Sequence, residues 1–136
     1  MDWITPKTDW TADDYINVTD YNRVVNNLNY IKITFNIVVS APTLVSKQIA
    51  DLPVCELYNA IEQNLEAINA ATYNFDIGVT KTYAANDPYI DWQEYNRIET
   101  WTEIIEAALR TAKEIQRHLA FRLGSQRTFD VPRGIE

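Results

Sequence analysis

Tyr15-Ile16-Asn17-Val18-Thr19-Asp20-Tyr21-Asn22-Arg23-Val24 returns 74 residues later as Tyr89-Ile90-Asp91-Trp92-Gln93-Glu94-Tyr95-Asn96-Arg97-Ile98. Five of the ten positions are identical, and Asn17/Asp91, Asp20/Glu94 and Val24/Ile98 are close chemical swaps. Each copy reads as the start of a helix. Asn17 and Asp91 suit the N-cap, where a side-chain oxygen takes an exposed amide of the first turn. Asp20 and Glu94 then place negative charge at the positive end of the helix, and Glu94 has the spacing to reach back to the cap amide in a capping box. Two copies at so long a period do not make a solenoid, which needs several stacked units. The simpler reading is a duplicated helix–helix half-domain.

Working outward, residues 1–16 read as an extended arm, with turn formers at Pro6, Thr8-Asp9 and Thr11–Asp14 between the anchors Trp3, Trp10 and Tyr15. A first helix over 17–39 carries Val18, Tyr21, Val25, Leu28, Ile31, Phe35 and Val38 at helical spacing. A connector follows between Pro42 and Pro53, with room for a helical turn in Leu44–Asp51. The second helix, 53–71, sets Val54, Leu57, Tyr58, Ile61, Leu65 and Ile68 opposite Glu56, Glu62, Gln63 and Glu66. Residues 72–90 are an irregular loop whose aromatics point to packing on the core. The third helix, 91–123, has the stripe Trp92, Tyr95, Ile98, Thr102, Ile105, Leu109, Ala112, Ile115 and Leu119 and ends before Gly124, a residue suited to a left-handed cap. Residues 124–136 make a short polar tail. The expectation is a single all-α domain, an antiparallel (up-down) three-helix bundle with an N-terminal arm and a C-terminal tail.

Composition narrows the function. Three Gly and five Pro in 136 residues disfavour a turn-rich all-β fold. The net charge of −7 makes nucleic acid an improbable ligand, although residues 107–136 carry 6 Lys/Arg against 3 Asp/Glu. Cys55 is alone, so no internal disulfide is expected. No stretch is apolar enough for a membrane span, and the N-terminus lacks the charged and apolar regions of a secretory signal.

Chemistry-bearing patterns are few. His118 is the single histidine, a poor metal or triad candidate, and no Gly-rich phosphate loop exists. No catalytic residue, metal ligand or cofactor is therefore expected. Glu99, Glu103 and Glu106 read as a polar helix face, with Glu106–Arg110 a solvated pair. The Tyr-Asn-Arg triplets are the sharpest local feature, and their structural reading has Arg23 and Arg97 forking onto a carboxylate or the neighbouring arm. If not all buried within one protomer, Trp3, Trp10, Trp101 and Phe129, together with Arg23, Arg97 and Arg133, mark a partner surface.

The run Trp10, Tyr15, Ile16, Val18, Asp20, Tyr21, Asn22, Arg23, Asn26, Asn27, Leu28, Tyr30 and Ile31 resembles small proteins and N-terminal modules from the tail regions of phages and prophages of Gram-positive bacteria. The match covers about 10–31 and recurs in part at 89–105. The resemblance implies a non-enzymatic virion structural protein near the tail tip, baseplate or fibre attachment, assembled in the bacterial cytoplasm with other virion proteins and with itself as a homo-oligomer. Its arms would gain order on docking. The other readings are a glycan- or host-surface-binding module using exposed Trp and Tyr, and a small adaptor or inhibitor protein of a mobile element.

Overall fold

A computed structural model describes residues 2–47, 55–84 and 91–129, with side chains up to Ala120. Among these residues the secondary structure is wholly helical: α1 is Val18–Thr34, α2 is Cys55–Ala71 and α3 is Trp92–Phe129. The all-α, three-helix architecture expected from the sequence is the one observed. The chain forms two compact units, residues 1–105 and 106–136. Among the described residues the buried apolar side chains all lie in the first. The second holds the later part of α3 and the tail, of which residues 130–136, with Arg133, lie outside the described residues.

The predicted stripes supply the core. Tyr21, Val24, Val25, Leu28 and Ile31 of α1, Tyr58, Ile61, Leu65 and Ile68 of α2, and Tyr95, Ile98 and Ile105 of α3 are all buried. Helix α1 opens with the full capping box, but at Asn17 and Asp20. At α3 the Asp91 side chain accepts the Glu94 amide, whereas the Glu94 carboxylate turns to Arg97 instead of the cap. Helix α1 ends five residues earlier than expected. Asn36 takes a left-handed φ of 55°, and the Asn36 and Ile37 amides bond back to Ile33 and Lys32, a Schellman closure that outweighs the β-branched run after it. Helix α3 runs through Gly124 to Phe129, because one glycine costs a helix only about 1 kcal/mol. The expected helical turn in Leu44–Asp51 is absent from its described part, 44–47.

The helices begin at Val18, Cys55 and Trp92, so their starts are 37 residues apart both times. The 74-residue spacing is thus two periods, and the repeat has three copies rather than two. The middle copy is Leu52-Pro53-Val54-Cys55-Glu56-Leu57-Tyr58-Asn59-Ala60-Ile61, which keeps the Tyr-Asn pair and the apolar residue two places on. Tyr21, Tyr58 and Tyr95 occupy one position, with ring centroids 6.0 Å apart between the first two and 6.3 Å between the last two.

Helix direction departs from the up-down expectation. The Tyr21 ring meets Tyr58, and further along the Lys32 ammonium donates to Asn64 Oδ1 at 2.8 Å. At 1.5 Å rise per residue an antiparallel pair would separate Lys32 and Asn64 by about 25 Å along the axis. Likewise the Phe75 amide donates to Asn69 and its ring lies against Trp101, both downstream of the Tyr58–Tyr95 contact. All three helices of the first unit point the same way. The chain returns between them through extended segments, not tight helix-to-helix turns.

Those extended segments occupy the grooves, and their backbone needs partners that neither helix nor sheet supplies. Asparagine carboxamides provide them. Lys47 N–H donates to Asn22 Oδ1 (2.8 Å) while Asn22 Nδ2 donates to Lys47 C=O (3.0 Å). Asn59 clasps Tyr83 in the same two-bond manner (2.6 and 2.8 Å), and Asn96 clasps Trp10 (2.8 and 2.9 Å). Each helix therefore holds the segment that leads into the next helix, and α3 holds the one that leads into α1. The ring closes. A second tier uses Asn27 on Ile4, again with two bonds, and Asn64 on the Pro42 carbonyl. Pro42 has no amide to offer, which leaves Asn64 Oδ1 for Lys32. The third equivalent is Trp101, whose ring lies 5.8 Å from that of Phe75.

Replacing Asn22, Asn59 or Asn96 by Ala strands a backbone N–H and C=O in a groove. Each variant is expected to lose about 2–4 kcal/mol in urea denaturation. A loss under about 0.5 kcal/mol, typical of a surface position, would contradict the clasp.

Candidate functional site

Two nearly identical charge clusters join the helices. In the first, Arg23 forks onto Glu99, with Nε to Oε1 and Nη2 to Oε2 both at 2.7 Å, while Nη1 bonds Asp20 at 3.0 Å. Glu99, only 1% exposed, also accepts the Trp10 indole N–H (2.7 Å) and the Lys7 amide (3.1 Å). In the second, Arg97 Nη2 reaches both oxygens of Glu62, equally buried, and Nε bonds Glu94 at 2.9 Å. Tyr83 donates its hydroxyl to Glu62 at 3.0 Å. The correspondence holds residue for residue: acid at the third helical position, Arg three residues later, Glu from the preceding helix in the ring, and an aromatic donor from the clasped segment.

At the third interface every charged member is replaced. Leu57 stands for the first-turn acid, Ala60 for the Arg and Val25 for the Glu. This substitution is concerted, as the energetics require. A buried ion pair exchanged whole for apolar residues is close to neutral, whereas removing one partner leaves a desolvated charge.

The electrostatics follow from this packing. Hydrogen bonding to Glu99 raises the Arg23 guanidinium above its ordinary pKa. Burial pulls Arg97 down, but Glu62 and Glu94 more than offset it. Both arginines stay charged at any practical pH. Burial pushes the phenols of Tyr21, Tyr58, Tyr83 and Tyr95 upward. Among the described residues, the Tyr95 hydroxyl is the buried side-chain polar atom left without a hydrogen-bond partner.

Of the seven residues singled out from the sequence, five have described side chains. Trp10 is 3% exposed, its ring 5.3 Å from that of Tyr95 and tilted to it by 47°. Arg23 and Arg97 fork onto carboxylates, as the structural reading of the triplets anticipated. Trp3 is half-buried against Tyr30, and Trp101 is half-buried against Phe75. Phe129 is the last helical residue, its side chain outside those described, as is Arg133. The arm from Asp2 to Trp10 is packed down through Asn26, Asn27, Asn96 and Glu99 instead of reaching outward, whereas residues 11–15 are exposed and Tyr15, expected as an anchor, is 91% exposed.

Glu62 and Glu99 are the residues that sequence reasoning missed, having assigned them to polar faces. Aligning the chain at 37 residues would have exposed them, since Val25, Glu62 and Glu99 then share one position. The Glu106–Arg110 pair expected from spacing is present, with Glu106 buried rather than solvated. Among the described residues no cluster of His, Cys, Asp or Glu could hold a metal ion, and no helix is long and apolar enough to cross a membrane. No protein-family model, curated protein or solved structure matches the chain.

Two outcomes test this site. Arg97→Ala alone should cost about 3–5 kcal/mol, while Glu62→Val/Arg97→Ala, which imitates the third interface, should recover a large part of that loss; a double variant as unstable as the single would contradict the ion-pair account. Raised tyrosine pKa values mean that the folded state holds its phenol protons longer than the unfolded chain. That stability is complete below about pH 10 and is lost above it, by up to about 1.4 kcal/mol per pH unit for each tyrosine. Urea midpoints between pH 9 and 11.5 should fall accordingly, less steeply in Tyr95→Phe; a flat profile would contradict it.

Proposed function

We propose that this chain is a non-enzymatic structural protein of a phage virion, a helical module that assembles in or near the tail tip, baseplate or fibre attachment. The observation that carries this reading is what the motif residues do. Asp20, Asn22, Arg23 and Asn27, which carry the resemblance to phage tail-region proteins, all bond within the chain, and so do their counterparts Glu94, Asn96 and Arg97. A motif spent on closing a ring of packed segments suits a building block. The large buried charges have partners that neutralise them, in contrast to the frustrated groups on which acid–base catalysis draws.

Peptide mass spectrometry of particles purified from cells carrying the gene tests the proposal. The protein should be present in salt-washed particles at a fixed copy number, and its deletion should leave particles with incomplete tails. Complete, infectious particles lacking the protein would overturn it.

A further inference from the structure

Tyr21, Tyr58 and Tyr95 share one position of the repeat, all three are buried, and all three lie in the first unit. Around them the repeat has changed freely. The first-turn acid gives way to Leu57, the arginine to Ala60 and the glutamate to Val25, yet in no copy is the tyrosine a phenylalanine or a leucine. A plain ring would fill the core as well, because a hydroxyl buried without a bond is costly. What the repeat has kept is the oxygen.

At Tyr95 that oxygen has no use within the chain. The residue is 1% exposed, and its hydroxyl has no hydrogen-bond partner among the described residues. The Tyr58 ring lies edge-on at 6.3 Å, with the Tyr21 ring 6.0 Å from Tyr58. Burial is the main cause of all three raised phenols, and their mutual influence adds to it. Tyr58 pushes Tyr21 and Tyr95 further up, while the Tyr95 hydroxyl draws Tyr58 back. The Tyr58 and Tyr95 oxygens are therefore neighbours outside direct hydrogen-bond geometry, the situation in which a solvent molecule bridges two groups.

We infer that the first unit holds one buried water molecule, bound between the hydroxyls of Tyr95 and Tyr58. A buried water makes two to four bonds, and Tyr21, beside Tyr58, can supply a third. The surroundings select a neutral ligand. After burial and Tyr58, the groups acting on Tyr95 are Glu99 and Asp20, which raise it, and Arg23, which lowers it. The carboxylates repel an anion and the guanidinium repels a metal ion, whereas water both donates and accepts. Nor do the helix starts call for an anion, since Asn17 and Asp91 already accept first-turn amides. Each tyrosine directly precedes its clasping asparagine, so the water joins α2 to α3 at the level where the extended segments are held. The inference stands whether or not the protein belongs to a virion.

Magnetic relaxation dispersion of the water oxygen, which counts long-lived internal waters in solution, tests this on the full chain. Tyr95→Phe should lose one such water relative to the wild type. Tyr58→Phe should lose the same one, so the double variant loses no more than either. Each substitution should lower the urea midpoint, and the pair should lower it by less than the sum of the two. A crystal structure should show one water within hydrogen-bond distance of both oxygens. An unchanged count of internal waters in Tyr95→Phe would overturn the inference, as would a Tyr95 hydroxyl bonded directly to Tyr58. So would a Tyr95→Phe variant more stable than the wild type, the result expected of a hydroxyl buried with no partner at all.

Discussion

The structure depends on satisfying the backbone of three extended segments that belong to no sheet. A buried N–H or C=O without a partner costs about 1–3 kcal/mol, so a chain threaded through helix grooves is untenable unless each groove provides donors and acceptors. One carboxamide offers both in a plane. Asn22, Asn59 and Asn96 hold Lys47, Tyr83 and Trp10 as a neighbouring strand would. Because each Asn sits next to the core tyrosine of its helix, the clasp also fixes how far each segment slides along its groove.

The charged clusters build on that placement. Once Trp10 and Tyr83 are clasped by their backbones, their side chains point donors at Glu99 and Glu62. The same carboxylates then receive Arg23 and Arg97 from the next helix in the ring. Hydrogen bonds from two elements to one buried carboxylate offset its desolvation. The third interface, with Leu57, Ala60 and Val25, reaches a comparable end without charge. Three copies of one unit have thus diverged in charge while keeping the tyrosine and the clasp.

Much of this was legible in the sequence, and the gaps have physical reasons. Helical periodicity gave the stripes because burial follows the 3.6-residue period wherever the core is reached. The Asn17 cap and the forked arginines were legible because their chemistry is local. The middle repeat was hidden because it has Leu57 and Ala60 where its siblings carry an acid and an arginine, so only Tyr58-Asn59 and Ile61 remained to match. Three stripes of similar width by themselves suggest an up-down bundle, whereas three copies at one spacing suit a ring of parallel helices. Glu62 and Glu99 were misplaced because a carboxylate on a helix is ordinarily solvated, and nothing local announces an arginine arriving from another helix. Ile115 and Leu119 continue the α3 stripe yet are exposed, because periodicity records a face without saying what covers it.

The arm preceding α1 gives Trp10 the same two-bond anchorage as Lys47 and Tyr83, deep in the chain. Native-state amide hydrogen exchange, read residue by residue, tests this most directly. The Trp10, Lys47 and Tyr83 amides should exchange only through global unfolding, with a shared opening free energy that tracks denaturant stability. If any of the three exchanges at the rate of an unstructured chain, the closed ring of three equivalent clasps does not exist in solution.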